Sequence, residues 1–254
     1  MKTFTIGKKK IVLKEEWMVG FITTWIVGLL AHAYRFFNFL PIWDSIYNFT
    51  GVGSTYTLGR WFLGYAGLIT SMFDLPWVNG AFSLFYISIV VILLTEMFEI
   101  KNKGMIVLCA AIFVSFPTVV SSFAYMYTAD AYLLAFLLAT LAVYLTWCVK
   151  KWGTIAGMVC LAFAMGIYQA YATVAIVLVL LYIIRQFVIE KLDFLEAVRK
   201  DLKYLGMLVG GAVLYAVILK ITLIRYNITL PGYQGIGALG IMSLGQYKAA
   251  LQKT

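Results

Sequence analysis

A chain of 254 residues in which 63% of residues are hydrophobic and only 12% are charged has the composition of an integral membrane protein and not of a soluble domain. The net charge of +9 does not indicate nucleic acid, because the Lys and Arg residues cluster between apolar runs instead of interleaving with aromatic residues on a polar face. We therefore expect the lipid bilayer as a partner and no nucleic acid. The three cysteines lie inside apolar runs, so they predict neither disulfides nor a metal site.

Seven apolar runs are long enough to be interpreted as helical membrane spans. A helix needs about 20 mostly apolar residues to cross the hydrocarbon core. The run 153–189 is too long for one span, and Tyr168 and Gln169 lie at its polar middle, so we place a tight hairpin there. The predicted spans are, in chain order, residues 17–33, 81–98, 105–123, 131–149, 153–168, 171–189 and 205–223.

The distribution of basic residues predicts the orientation of these spans. With seven spans, most of the 20 Lys and Arg residues fall on the side of the membrane that carries the N-terminus. Because cytoplasmic loops carry the excess of basic residues, we predict a multi-pass protein of the cell membrane with a cytoplasmic N-terminus. The long connection 34–80 then lies outside.

Two segments between the spans are predicted to be surface helices. The external stretch RWFLGYAGLITSMF is too short and too interrupted to cross, and it is typical of a helix in the membrane interface. The cytoplasmic stretch EKLDFLEAVRKDLKY has apolar residues three or four apart with charges between them, the pattern of an amphipathic surface helix. The predicted fold is an all-α transmembrane helical bundle that forms a single domain, 1–254.

The acidic residues of the external side are all aspartates, namely Asp44, Asp74 and Asp130, and they share that side with Arg35 and Arg60. Arginine offers a planar fork of donors to phosphate, and a carboxylate can take a proton from a hydroxyl group. Together with the many external aromatic residues, this set suits a sugar and a phosphate. Each aspartate alone could instead be a solvated loop residue, or a helix N-cap in the case of Asp130.

A second class of function remains open, because many membrane proteins are transporters. Ion-coupled transporters and proton relays usually place ionisable groups in mid-membrane. The predicted spans have no Asp, Glu, Lys or Arg near their middle. The spans thus lack the feature that would favour a transporter over an enzyme. A transporter or flippase for a lipid-linked sugar is the alternative hypothesis, and a non-catalytic membrane subunit is the third.

Five stretches along the chain carry a resemblance to a known family. They are PIWDSIYN, STYTLGRWFLG, FAYMYTADAYLLAFLLA, GIYQAYAT and YNITLPGYQGIG. In order and spacing they resemble the GtrII-type glucosyltransferases, multi-span enzymes of the GT-C superfamily. Family members are usually longer, with further spans, so we expect this chain to be the N-terminal portion of a longer protein.

The resemblance implies a GT-C-like fold and a glycosyltransferase reaction. A hexose, typically glucose, would pass from a polyprenyl-phosphate sugar to a cell-surface glycan on the outer face of the cytoplasmic membrane. Asp44 would be the catalytic general base, and Arg60 and Arg35 would bind the donor phosphate. The residues expected to bind the sugar or the acceptor are Asp130, Tyr127, Trp61, Tyr168 and Gln169.

No metal is assigned to this site. Many GT-C enzymes carry two adjacent acids in the first external loop, whereas here Asp44 is followed by Ser45. A polyprenyl monophosphate donor also need not use a divalent metal. We therefore expect no cofactor.

Overall fold

The chain forms a bundle of helices preceded by a short β-hairpin. The structure, a computed structural model, describes residues 2–6, 9–47, 55–191 and 194–230. Strands β1 (Lys2–Ile6) and β2 (Lys9–Leu13) pair in antiparallel fashion. The helices are α1 (Glu15–Phe37), α2 (Trp43–Tyr47), α3 (Leu63–Ala66), α4 (Pro76–Met97), α5 (Lys103–Ser115), α6 (Pro117–Ser122), α7 (Met126–Cys148), α8 (Gly153–Ile167), α9 (Ala172–Arg185) and α10 (Phe194–Tyr226).

The hairpin departs from the all-α prediction. Its strands contain β-branched residues such as Thr3, Thr5, Ile11 and Val12, which favour extended backbone. Each strand has only five residues, so its sequence pattern is too short to predict a strand beside the long apolar runs that follow. From Glu15 onward the described residues form helices and turns without a strand, which confirms the helical prediction for the bundle.

Five helical segments of the described chain are long and apolar enough to cross a membrane. They are Glu15–Phe37, Pro76–Met97, Pro117–Cys148, Gln169–Ile189 and Arg199–Tyr226. Two shorter apolar helices, α5 and α8, lie where the third and fifth spans are predicted. The prediction of several apolar membrane helices is confirmed, and the count of seven spans stays a prediction.

A proline divides the run predicted as the third span, 105–123. Helix α5 ends at Ser115, Phe116 has an extended backbone with ψ 140°, and Pro117 begins α6. Proline lacks an N–H group and disfavours helical backbone in the residue before it. The residues from Pro117 onward therefore join the next helical stretch, which has 32 residues up to Cys148.

The stretch 60–73 is not one continuous helix, so the predicted interfacial helix is not confirmed. Only α3 is helical within it, and Ser71 and Met72 have positive φ. Trp61, Leu63 and Met72 are buried, with 7%, 3% and 5% of their surface exposed. These three side chains anchor the segment in the bundle, while Tyr65, Leu68 and Ile69 are exposed on its surface.

The last helix, α10, is longer than the last predicted span. The amphipathic cytoplasmic stretch and that span form one helix, since α10 runs for 33 residues without a break.

The predicted interruption of the run 153–189 is present. Helix α8 ends at Ile167, Tyr168 is extended, and a new helical segment begins at Gln169.

The bundle has two distinct ends. Helix α1 packs antiparallel to α4, with Lys14 beside Glu96 at one end and Phe36 against Gly80 at the other. We call the first the charged end, because ion pairs lie there. We call the second the loop end. It carries the connection from α1 to α4, the turns before α7 and the connection from α8 to α9.

Helix α7 lies at the centre of the bundle. It packs against α4, α8 and α9. Small side chains line its buried surface and allow neighbouring helices to approach closely. These fully buried residues are Ala129, Ala131, Ala135, Ala139 and Ala142. Helix α7 is thereby the scaffold on which several loop-end side chains are mounted.

Candidate functional site

A tight turn between α2 and α3 carries Arg60. A single 3-10 turn, Tyr56–Leu58, leads to Gly59, whose φ of 72° is left-handed and favours glycine. A Cβ atom at Gly59 would also lie 2.6 Å from Nε2 of Gln169 and 2.8 Å from Oη of Tyr215. Backbone conformation and space both require glycine immediately before Arg60.

Two side chains from distant helical segments hold this turn, and we call Gln169 and Tyr215 the polar clamp. Gln169 Nε2 donates to the Leu58 carbonyl at 2.8 Å and to Tyr215 Oη at 2.9 Å. Tyr215 Oη donates to the Gly59 carbonyl at 3.0 Å. The clamp attaches the turn to the α8–α9 connection and to α10.

Tyr56 provides a further attachment. Its ring stacks on that of Tyr226, at the end of α10, with centroids 5.2 Å apart. Burial, followed by a hydrogen bond with Tyr65, raises the pKa of Tyr56 to about 12. The Tyr56 hydroxyl therefore stays protonated at neutral pH.

The Arg60 guanidinium is held between two tyrosines. Its Nη1 donates to Tyr132 Oη at 3.0 Å, and its central carbon lies 4.5 Å from the centroid of the Tyr168 ring. The two rings stack with centroids 5.4 Å apart. Arg60 Nε is buried and has no hydrogen-bond partner among the described residues. The cation is thus fixed in place, and the described part of the chain leaves one of its donors unused, as suits a site for an anion.

Arg35 uses its donors differently. Its Nε donates to the carbonyl of Phe123 at 2.8 Å, Nη1 to that of Leu40 at 2.6 Å, and Nη2 to that of Ala124 at 3.3 Å. The guanidinium thereby ties the end of α1 to the segment before α2 and to the turn before α7. This arrangement favours a role in holding the loop end together over a role in binding phosphate.

Asp44 is exposed on α2, and it interacts electrostatically with Tyr127. The half-buried Tyr127 hydroxyl is within electrostatic range of both Asp44 and Arg60. The structure therefore brings the predicted base, the predicted phosphate ligand and Tyr127 to the same end of the bundle.

Asp130 lies inside the first turns of α7 and is 3% exposed. Its Oδ2 accepts from Thr70 Oγ1 at 3.0 Å, and its Oδ1 accepts from Asn79 Nδ2 at 3.2 Å. The cap of α7 is Tyr125, so Asp130 is not the N-cap that was one alternative for it. Instead, Asp130 connects α7 to the segment before α4 and to the start of α4.

Trp61 is directed into the bundle rather than towards a ligand site. Its ring packs edge-on against Phe163 with centroids 5.3 Å apart, and it lies so close to Gly166 that a Cβ there would be 2.6 Å from Trp61 Cε2. Trp61 Nε1 is buried without a partner among the described residues. The surroundings of Trp61 are those of a packing residue.

Three residues that shape the site are not among the site residues predicted from the sequence. Tyr132 holds Arg60, Tyr215 belongs to the polar clamp, and Asn79 supports Asp130. Tyr132 lies inside the stretch FAYMYTADAYLLAFLLA, which also contains Asp130, but Tyr215 is one aromatic residue in an apolar run. Only the three-dimensional contacts identify it.

The structure was also searched for metal ligands. Within the described ranges, no three His, Cys, Asp or Glu side chains are grouped so that they could hold a metal ion. The independence of this site from metals stays a prediction.

Comparison with known proteins shows which family the chain is similar to. A family model described as Glucosyl transferase GtrII matches residues 33–253, a range that contains every site residue described above. No curated protein matches the chain, and no solved structure does. The match covers most of the chain and includes both the turn that carries Arg60 and the helices that hold it.

Proposed function

Because this chain belongs to the GtrII glucosyltransferase family, we propose that it moves glucose from a polyprenyl-phosphate sugar to a glycan acceptor of the cell surface. The family implies a membrane glycosyltransferase with a sugar donor and an acceptor. The proposal adds four points to this: the polyprenyl-phosphate donor, the surface glycan, the GT-C type of enzyme and the location at the outer face of the cell membrane. A polyprenyl tail would lie in the bilayer beside the apolar helices.

The arrangement around Arg60 is the observation that supports this proposal most strongly. Two tyrosines hold the guanidinium and the polar clamp holds its turn, while Nε has no partner among the described residues. A preorganised cation of this kind can stabilise the negative charge that develops on a departing phosphate. We therefore assign the donor phosphate to Arg60.

The proposed reaction is a single displacement. Asp44, which an acceptor can reach because it is exposed, takes the proton from an acceptor hydroxyl. The hydroxyl oxygen bonds to the anomeric carbon of glucose. The bond between that carbon and the phosphate oxygen breaks, and the electron pair leaves with polyprenyl phosphate, whose charge Arg60 stabilises.

The remaining predicted residues receive different roles. Tyr127, which interacts electrostatically with Asp44 and Arg60, and Tyr168, whose ring lies against the Arg60 guanidinium, are proposed to contact the sugar. Gln169 positions Arg60 through the polar clamp. Asp130 has both oxygens occupied by protein donors, which favours a positioning role over direct contact with the sugar.

The proposal is tested by the transfer of radiolabelled glucose. Membranes that contain the chain are given synthetic polyprenyl-phosphate glucose, and label in the glycan is measured for the wild type and for Asp44→Asn at equal protein level. We expect the variant to lose activity by about 100-fold or more, because the amide cannot accept the proton.

Glu16→Gln is the matched control, since it makes the same chemical change at the charged end of α1. It should retain full activity. Unchanged transfer by Asp44→Asn would remove Asp44 from the role of base. Movement of the labelled lipid across the membrane without any glycan labelling would favour a flippase.

A further inference from the structure

The charged end of the bundle has two halves with opposite charge balance. One half, residues 14–17 and 96–103, holds three basic and four acidic residues. The other half, residues 149–152 between α7 and α8 and residues 196–204 near the start of α10, holds five basic and two acidic residues. We call this second half the basic patch. Its five basic residues are Lys150, Lys151, Arg199, Lys200 and Lys203. The positive-inside rule concerns the total at this end and does not explain the separation.

Ion pairs neutralise much of the first half, whereas the basic patch keeps its excess of positive charge. In the first half, Lys14 pairs with Glu96 at 2.6 Å, and Lys103 pairs with Glu15. In the basic patch, one of the two acids, Asp201, is buried and accepts a hydrogen bond from Gln186 at 3.1 Å. The basic side chains of the patch are exposed, except for the half-buried Lys203.

Helices α8 and α10 pack closely beside each other. A Cβ atom at Gly157 would lie 2.9 Å from Cγ of Met207, and one at Gly211 would lie 2.8 Å from Cδ2 of Leu161. Both contacts join residues that are 50 positions apart, since 207 − 157 and 211 − 161 both equal 50. The two helices therefore run parallel, and each residue of α8 lies level with the residue of α10 that is 50 positions later.

This register brings Lys203 to the turn between α7 and α8. Lys203 lies level with Gly153, the first residue of α8, and it is within electrostatic range of Cys148, the last residue of α7. Lys200 lies three residues earlier on the same side of α10, about 4.5 Å further along the helix axis. Basic side chains from two separate elements therefore meet at one corner of the bundle.

An exposed tryptophan lies at the same corner. Trp152 is 62% exposed, and Nζ of Lys151 lies 5.9 Å from the centroid of its ring. Tryptophan is enriched where a membrane meets water, because its ring is apolar and its N–H group is a donor. A turn that joins two apolar helices lies at the level of the lipid headgroups. The corner thus combines cations with an indole at that level.

We propose that the basic patch binds the headgroup of an anionic phospholipid in the leaflet at the charged end. The lysines pair with the phosphodiester oxygens, and Trp152 packs against the glycerol and the first carbons of the acyl chains. Basic surfaces between membrane helices are known to bind anionic headgroups in this way. The patch lies at the opposite end of the bundle from Arg60, so this lipid is distinct from the proposed sugar donor.

Lipid binding by the purified chain tests the proposal. Native mass spectrometry in detergent measures the affinities for phosphatidylglycerol and phosphatidylcholine of the wild type and of the double variant Lys151→Gln/Lys203→Gln. We expect the wild type to bind phosphatidylglycerol about 10-fold more tightly or better. The double variant should lower that affinity by about 30-fold, because each lysine near an anionic headgroup contributes about fivefold.

The matched control is Lys101→Gln/Lys103→Gln, which removes the same charge from the other half of this end. It should leave the affinity for phosphatidylglycerol nearly unchanged. An equal loss of affinity in the two double variants would overturn the proposal. Equal binding of the two phospholipids by the wild type would do the same.

Photocrosslinking of the wild-type chain covers the case in which a variant does not fold. Phosphatidylglycerol with a photoreactive diazirine on its headgroup is incorporated into phosphatidylcholine nanodiscs, and the labelled peptides are identified by mass spectrometry. Label should appear in residues 149–152 and 196–204 in preference to residues 96–103. The opposite distribution, or stronger displacement by polyprenyl phosphate than by unlabelled phosphatidylglycerol, would contradict the assignment. Neither experiment requires glucose transfer.

Discussion

The two arginines of the loop end have the same side chain and opposite surroundings. Arg35 donates to three carbonyls, so its hydrogen bonds serve the fold. Among the described residues, Arg60 makes one hydrogen bond and one contact with an aromatic face, and its Nε is unpaired. Sequence alone ranks both as phosphate ligands, because an arginine in an external loop carries no information about which of its donors the protein already uses.

Replacement of each arginine by lysine should separate these roles. Arg60→Lys keeps the charge but loses the planar fork and its contact with Tyr168, so we expect kcat/KM for the donor to fall by about 100-fold with little change in Tm. Arg35→Lys should cost about 1–3 kcal/mol of stability through its lost carbonyl contacts, and leave the donor KM close to that of the wild type. Equal losses of activity in both variants at unchanged Tm would contradict the division of roles.

At the scale of elements, the long helices are predictable because an apolar run of sufficient length has few alternatives in a membrane. The interruption at Tyr168 is also predictable, because polar residues mark it. The burial of Trp61 is not predictable, since it depends on the small residue Gly166 in a distant helix. The contact of Tyr215 with Gly59 joins residues 156 positions apart, which no local pattern can reveal.

Gly166 is the point at which α8 receives the turn that carries Arg60. Its carbonyl accepts from the Phe62 N–H at 2.8 Å, and a Cβ would lie 2.6 Å from Trp61 Cε2. Gly166→Val should therefore displace this turn, cost about 1–3 kcal/mol of stability and reduce glucose transfer.

The control for this change is Gly206→Ala in α10. A Cβ at Gly206 meets no atom within 4 Å, so the variant should keep both its Tm and its activity. Thermal unfolding and glucose transfer are measured for both variants in the same membranes. Full activity in Gly166→Val would show that the position of the turn does not control the reaction.

At the scale of the whole molecule, the two ends of the bundle differ in chemistry. The charged end contains the ion pairs of Lys14 with Glu96 and of Arg185 with Glu99. The loop end contains the turn that carries Arg60 and the buried Asp130. Because the basic residues between the helices concentrate at the charged end, the positive-inside rule predicts that this end lies in the cytoplasm and the loop end outside. The proposed surface glycan requires this orientation.

Cysteine accessibility in intact cells tests the orientation directly. In a background where Cys109, Cys148 and Cys160 are replaced by serine, a membrane-impermeant maleimide should label Ser71→Cys, which is exposed at the loop end. Lys101→Cys, exposed at the charged end between α4 and α5, should react only after the cells are permeabilised. The reverse pattern would put Asp44 and Arg60 in the cytoplasm. A surface glycan could then not be the acceptor, although the contacts that hold Arg60 would still suit a phosphorylated sugar donor.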